Sequence, residues 1–264
     1  MSTTPTAYFF ADGDTFVPTD IAQGPWGATI SGNVLGGLLG FVLDREHGDP
    51  AFQPARLTVD LFRPAALAPL AVRTETVRAG RRIKVVDAHA IQDGALVARA
   101  SVVLLRRGPA GPTDIWTSPM PIPDPPGEDH VGGGTPMELV AHGAGSSIDL
   151  SAWRYTGPKH IWVHNVTPLV GGEPMTPFTR AAMAGDVVSS LTNFGPEGLA
   201  YINADYTLTL SRLPVSTDIG LSALTHYSDA GVATGSATLF DRSGPIGSGM
   251  ATALLSPGFA PRDH

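Results

Sequence analysis

Two segments of the chain alternate between apolar and polar residues with the period of a β-strand, and they end in the same way. Residues 56–63 (RLTVDLFR) are followed directly by a proline, and residues 205–212 (DYTLTLSR) are followed by a proline after one further residue. An alternation of this length predicts a half-buried strand. The closing arginines, Arg63 and Arg212, are 149 positions apart, which indicates an internal repeat.

A turn signal recurs at nearly the same distance. Residues 92–94 (QDG) separate two β-rich runs in the first half, and residues 242–244 (RSG) do so in the second, at an offset of 150. Each turn leads into a long final strand, at 95–105 and 245–255. The same order at a constant spacing predicts two copies of one supersecondary unit.

One helical segment precedes the paired strands in each half. In 33–44, apolar residues recur at helical spacing, with Ser31 or Asn33 as the N-cap. In 177–191, Thr176 holds the cap position and a proline the first helical position, where its missing N–H costs no hydrogen bond. Both segments are rich in glycine and alanine, which favours close packing against a sheet that wraps around them.

A proline- and glycine-rich segment, 108–136, separates the two halves. Its five prolines between 119 and 126 are too closely spaced for a helix or a central strand. We therefore predict an N-terminal unit at 1–107, an extended linker at 108–136 and a C-terminal unit at 137–264. The glycines at 132–134 are assigned to the linker, because they lack the flanking strand and helix of a phosphate-binding loop.

Composition and charge narrow the functional classes. The 264 residues are 42% hydrophobic and include no cysteine, which excludes disulfides and cysteine nucleophiles and makes the cytoplasm the expected location. The net charge of −7 argues against sequence-independent binding of nucleic acid. The sequence predicts neither a signal peptide nor a membrane span, since no long apolar stretch occurs.

The repeated unit of one helix and long antiparallel strands carries several short motifs. They are Gly-Pro-Trp at 24–26, the helix start at 31–33, LFRP at 61–64, the basic turn VRAGRRIK at 77–84, Gly-Glu-Pro at 172–174 and YINADYTLTLSR at 201–212. Together they resemble the double hotdog of the acyl-CoA thioesterase II and thioesterase-like families, over nearly the whole chain apart from the linker. The resemblance implies an α+β fold of two fused hotdog units. It also implies hydrolysis of fatty-acyl or related thioesters, with acyl-CoA as substrate and no cofactor.

Asp186 is the candidate general base. Thioester hydrolysis requires an activated water and donors for the developing oxyanion. Asp186 lies in the middle of a helix of small and apolar residues, where a carboxylate carries a desolvation cost that a function would explain. The resemblance places the family's catalytic aspartate here; a capping or solvent-facing role is the alternative. At an offset of 149 the first half has Gly37, so the two units are expected to differ.

Asn203 is the second candidate, since the resemblance places there a threonine that holds the attacking water. An amide also donates and accepts hydrogen bonds. The alternative is that Asn203, Asp205, Thr207 and Thr209 form a polar, solvent-facing stripe with Asp205 in a structural role.

The last strand departs from the family pattern. Where the resemblance implies a glutamine, this sequence has Ala251, which can neither orient a water nor polarise a carbonyl. Thr252 or Ser248 are the candidates to replace it. Otherwise the protein turns over slowly, or it binds acyl groups without catalysis.

Basic residues cluster at the turn of the first half, where Arg78, Arg81 and Arg82 are candidates to bind the phosphates of coenzyme A. A solvated turn is the alternative. His160 and His164 alternate like strand residues and lack the glutamate of a helical zinc motif, so we expect no metal site.

Other functional classes fit the sequence less well than a thioester hydrolase. No G-x-S-x-G elbow supports a serine hydrolase. A non-catalytic acyl-binding protein on the same scaffold is the main alternative, and a hydratase ranks below it because the required Asp and His arrangement is missing. Since a double hotdog resembles a dimer of single units, further pairing into a homo-oligomer through sheet edges is also expected.

Overall fold

The computed structural model describes residues 7–112, 115–116, 122–127 and 136–256. The glycine cluster at 132–134, which the sequence assigns to the linker, lies outside the described residues, as do other parts of the segment 108–136.

Each half contributes one long helix, α1 (Gly32–His47) and α2 (Pro177–Asn193). Both helices extend slightly beyond their predicted ends. Ser31 is the N-cap of α1, and the Thr176 side chain caps α2 by accepting a hydrogen bond from the Thr179 N–H at 3.1 Å. Neither helix is long and apolar enough to cross a membrane, a finding that applies to the part of the chain described above.

The strands of the first half are β1 (Phe9–Asp12), β2 (Thr15–Pro18), β3 (Phe52–Leu61), β4 (Leu70–Ala79), β5 (Ile83–Gln92) and β6 (Ala95–Arg106). Those of the second half are β7 (Met137–His142), β8 (Ser146–Ser147), β9 (His160–Asn165), β10 (Phe194–Gly195), β11 (Gly198–Leu199), β12 (Tyr201–Asn203), β13 (Asp205–Leu210), β14 (Asp218–Asp229), β15 (Val232–Asp241) and β16 (Gly244–Leu255). The predicted strands therefore lie within or close to β3, β6, β13 and β16.

One antiparallel sheet joins the two halves. Its order is β1-β2-β4-β5-β6-β3-β13-β16-β15-β14-β9-β7-β8, with β12 also paired to β16. The two strands that the repeat singled out, β3 and β13, are direct neighbours at the centre. The halves consequently share a continuous sheet.

The helices lie side by side on the inner face of this sheet and run antiparallel. Asp44, near the end of α1, accepts a hydrogen bond from Thr176 Oγ1 at the start of α2, at 2.6 Å. Their close approach depends on small residues, since a Cβ on Gly40 would lie 2.6 Å from the Ala182 Cβ. Because the helices are antiparallel, the first turn of α1 reaches the middle of α2, at Asp186.

Candidate active site

Asp186 lies where the N-terminus of α1 meets the middle of α2. Its Oδ1 accepts a hydrogen bond from Asn203 Nδ2 at 2.9 Å, and its carboxylate also accepts one from the backbone N–H of Asn33. A Cβ on Gly32 would lie 2.8 Å from Oδ1, so only glycine leaves room for the carboxylate. The positive end of the α1 dipole therefore points at the carboxylate. Both halves of the chain build this site.

Burial raises the pKa of Asp186 to about 6, and the hydrogen bonds from Asn203 and from the Asn33 backbone partly offset this increase by stabilising the charged form. Such a carboxylate is mostly ionised at neutral pH, yet it is basic enough to take a proton from water in a transition state. The pKa suits a general base.

Asn203 reaches Asp186 because the strand register shifts by one residue. Asn203 lies opposite Ala253 in the β12–β16 pair, whereas Thr207 lies opposite Met250 in the β13–β16 pair. An advance of four residues from Asn203 to Thr207 thus corresponds to an advance of three residues along β16, as in a β-bulge. An unbroken strand would place Asn203 on the same face as Thr207. The interpretation of these positions as one solvent-facing stripe is therefore wrong for Asn203, which faces α2.

The hydrogen bonds of Asn203 leave its carbonyl oxygen available. Its Nδ2 donates to Asp186 at 2.9 Å and, more weakly, to the backbone oxygen of Asp205 at 3.4 Å. Its Oδ1 makes no hydrogen bond to any residue that the structure describes. A water bound by the Asp186 carboxylate can therefore donate its second hydrogen to this oxygen.

Thr252 lies on the outer face of β16, away from Asp186. Its Oγ1 donates to Asp205 Oδ2 at 2.6 Å and its N–H to Asp205 Oδ1 at 2.9 Å. Ser248 is exposed on the same face. The structure therefore brings neither residue to Asp186, since Ser248, Met250 and Thr252 alternate with the buried positions of the strand and share its outer face.

Ala251, in contrast, points inward and is only 1% exposed. Its neighbour across the sheet is Gly235 on β15. The inner face of β16 next to α2 is thus lined by alanine, and it offers no side-chain donor at the position where the family resemblance implies a glutamine.

Tyr206 is fully buried on β13 and packs against α2 next to the site. Its hydroxyl donates to the Ala182 carbonyl of α2 at 2.8 Å, and a Cβ on Gly185 would lie 2.7 Å from its ring. Burial, and secondarily the charge of Asp186, raise the pKa of Tyr206 well above its usual value, so the phenol stays protonated. Glycine at 185, unusual within a helix, was the sequence signal for this contact.

The basic turn lies at the opposite end of α1. Arg78 near the end of β4 and Arg81 and Arg82 in the turn before β5 are exposed. The nearby Lys84 pairs with Asp49, just beyond the C-terminus of α1, at 2.8 Å. Asp186 meets the N-terminus of the same helix, whose 16 residues span about 24 Å. A nucleotide held at this turn would have to extend along the whole helix to bring its thioester to Asp186.

The two histidines of β9 have partners on the neighbouring strand. Nδ1 of His160 lies 2.6 Å from Ser222 Oγ, and Nδ1 of His164 lies 2.6 Å from Asp218 Oδ1. Among the described residues no cluster of three or more metal-binding side chains occurs.

Comparison with known proteins agrees with this architecture. Residues 22–115 match the family model of the acyl-CoA thioesterase N-terminal domain. No curated protein matches the sequence.

Solved structures match the chain over nearly its full length. A tesB protein of Mycobacterium avium subs paratuberculosis is 15% identical, with 94% of this chain and 96% of that chain covered and a TM-score of 0.66. An acyl-CoA thioesterase II, TesB2, of Mycobacterium marinum is 14% identical, with 96% of each chain covered and a TM-score of 0.62. A hot dog fold protein of Alicyclobacillus acidocaldarius is 15% identical, with 96% of each covered and a TM-score of 0.68.

These similarities define a double-hotdog protein, and the predicted α+β fold is confirmed. Residues 22–115 are similar to the acyl-CoA thioesterase N-terminal domain, so the predicted resemblance to the acyl-CoA thioesterases is confirmed for this part of the chain.

Proposed function

We propose that the protein hydrolyses acyl-CoA or related thioesters, with Asp186 as general base and Asn203 as the residue that orients the water. The carrying observation is the half-buried carboxylate with a pKa of about 6 that accepts a hydrogen bond from Asn203 and lies at the start of α1. Fatty-acyl groups are the substrates that the family resemblance favours, and the cysteine-free composition favours the cytoplasm as the location.

The reaction follows from the positions of these groups. Asp186 accepts a proton from the water while the water oxygen bonds to the thioester carbonyl carbon. The tetrahedral intermediate then collapses with cleavage of the carbon–sulfur bond. The proton held by Asp186 passes to the leaving thiolate, so that a carboxylic acid and a free thiol are formed and the carboxylate is restored.

Stabilisation of the oxyanion is the weak element of this site. Ala251 carries no donor, and the backbone N–H of Asn33 is already bonded to Asp186. A missing oxyanion donor costs a factor of about 10²–10³ in rate, so we expect slow turnover. The same observation favours the second candidate, an acyl-binding protein without catalysis.

A panel of acyl-CoA substrates of different chain length, with a thiol-reactive dye, tests the proposal. Release of free thiol that is lost in Asp186→Asn supports the hydrolase. Tight binding of the same compounds without thiol release, measured by calorimetry, would replace it with the acyl-binding function.

A further inference from the structure

A stripe of polar side chains continues along α2 beyond Asp186. Ser189, Ser190 and Asn193 follow it at intervals of three, four and seven residues, which places them on the same side of the helix. Helix α1 packs against α2 between the start of α2 and Asp186, where Gly32 of the first turn of α1 lies. Asp186 and Ser190 are partly exposed, whereas Ser189 and Asn193 are buried.

Two strands complete the stripe on the side facing α2. Tyr201 is two residues before Asn203 on β12 and shares its inward face. The ring of Tyr201 packs edge-on against His226 of β14, with 6.0 Å between the ring centroids. His226 is exposed, so this group of side chains leads from Asp186 to the protein surface.

Hydrogen bonds fix the orientation of the histidine ring. Nδ1 of His226 lies 2.9 Å from Asn193 Oδ1, which only accepts, so Nδ1 carries the proton. Asn193 in turn donates from Nδ2 to Ser189 Oγ at 3.3 Å. Nε2 lies 3.2 Å from Ser228 Oγ, near the surface.

We propose that Ser190, Asn193, Tyr201 and His226, here called the polar track, bind the pantetheine arm of the thioester substrate. The inference rests on the proposed function, which places the thioester carbonyl at Asp186. A nucleotide or a carrier protein is too bulky to be enclosed beside α2. The arm that connects it to the thioester must therefore follow a route that reaches the surface, and the polar track is such a route.

The chemistry of the track fits this arm. Pantetheine contains two amides and a hydroxyl, each of which needs a partner when it leaves water. Hydroxyl, amide and imidazole groups both donate and accept hydrogen bonds, whereas an acyl chain would be matched by apolar side chains. The track starts at Asp186 and extends toward the C-terminus of α2, whereas the turn with Arg78–Arg82 lies near its N-terminus. The arm therefore leads away from that turn.

Kinetics with three thioesters of one acyl group test the assignment: the CoA ester, the pantetheine ester and an S-methyl ester that lacks the arm. In His226→Ala and Tyr201→Ala we expect KM for the first two to rise about 3- to 10-fold, the usual effect of one lost hydrogen bond or ring contact. The kcat/KM for the S-methyl ester should stay unchanged. His226→Gln, which keeps a hydrogen-bonding amide, should restore part of the loss.

Tyr227→Ala is the matched control, because Tyr227 is adjacent to His226 on β14 but points outward and is 67% exposed. It should leave all three substrates unaffected, and melting temperatures should show that every variant is folded. An equal loss with the S-methyl ester, or no loss with any ester, overturns the assignment of the track.

The result for the proposed function is separate. If the unmodified protein releases no thiol from any of the three esters, the proposed function is wrong. The variants are then compared by calorimetric binding of the pantetheine ester. Unchanged affinity in His226→Ala and Tyr201→Ala would overturn the assignment of the polar track. A lower KM for the CoA ester than for the pantetheine ester shows that the nucleotide contributes to binding, whereas equal values show that the arm alone is recognised.

Discussion

Thr58 and Thr207 lie directly opposite each other in the β3–β13 pair, and their hydroxyl oxygens are 3.0 Å apart. They are separated by 149 residues, which is the repeat offset found in the sequence. When residues related by a repeat pair with each other in an antiparallel register, the two copies are related by an approximate twofold axis through that pair. The centre of the sheet thus joins the two copies of the unit.

The division into an N-terminal unit at 1–107, a linker at 108–136 and a C-terminal unit at 137–264 stays a prediction. The match to the thioesterase N-terminal domain, at 22–115, overlaps the first unit and the beginning of the linker. The shared sheet means that neither unit is expected to fold without the other, because separation would expose the edges of both central strands.

The pH dependence of activity follows from Asp186. Because its pKa is about 6 and the ionised form acts as the base, kcat/KM should rise with pH up to about 6 and then level off. A pH–rate profile with a soluble short-chain thioester measures this. Asp229→Asn, which changes an exposed carboxylate at the end of β14, should leave the midpoint in place. A flat profile would assign proton transfer to another group.

Asp186→Asn should lower the activity of the protein and raise its stability. Turnover should fall by about 10²–10⁴, as for the loss of other general bases. The pKa is raised from 3.8 in the unfolded chain to about 6 in the folded one, so ionisation destabilises the fold by about 3 kcal/mol above pH 6. This cost develops between about pH 4 and 6 and is absent below, where the carboxyl is protonated in both states.

The amide avoids this cost. Urea unfolding at pH 7.5 and pH 4 should therefore show the variant to be more stable by about 1–3 kcal/mol at the higher pH, with little difference at the lower one. If the variant is less stable at both pH values, the hydrogen bonds that Asn203 and Asn33 donate to the carboxylate stabilise the fold by more than the desolvation of the charge destabilises it.

Ala251→Gln tests the departure from the family pattern. An amide next to Asp186 and Asn203 should increase turnover about tenfold or more, since one oriented donor contributes about 10²–10³. Ala251 is nearly fully buried and α2 packs closely on the adjacent Gly235, so we also expect overpacking to cost about 1–3 kcal/mol. Rate and melting temperature are measured on one sample, with the exposed Met250→Gln as control. Unchanged turnover at near-normal stability would show that the site does not use this position.

Gly185→Ala should destabilise the protein although alanine favours helices. The added methyl would lie 2.7 Å from the Tyr206 ring, and the ring cannot yield without losing its hydrogen bond to Ala182. We expect a loss of about 1–3 kcal/mol in the free energy of unfolding. Gly145→Ala, where no atom lies within 4 Å of the new methyl, is the control and should be nearly neutral. A neutral Gly185→Ala would show that α2 can shift away from the sheet.

The helices and the main strands were predictable from the sequence because their signals are local. The caps of both helices, the alternation of β3 and β13 and the turns before β6 and β16 each lie within a few residues of the element they define. Asp186 could be singled out in the same way, since a carboxylate among small and apolar residues is itself a local signal.

The partners of Asp186 were decided by the tertiary structure. Gly32 and Asn33 reach the carboxylate only because the helices pack antiparallel, at a distance that small residues such as Gly40 permit. Asn203 faces it only because pairing with β16 shifts the register by one residue, and the same strand turns Thr252 outward and Ala251 inward. Local pattern thus determined the two-copy plan, the helices and the candidate base. The contacts that surround the base depend on helix packing, which brings Gly32 and Asn33 from the other half of the chain, and on strand register, which turns Asn203 toward it from 17 positions away.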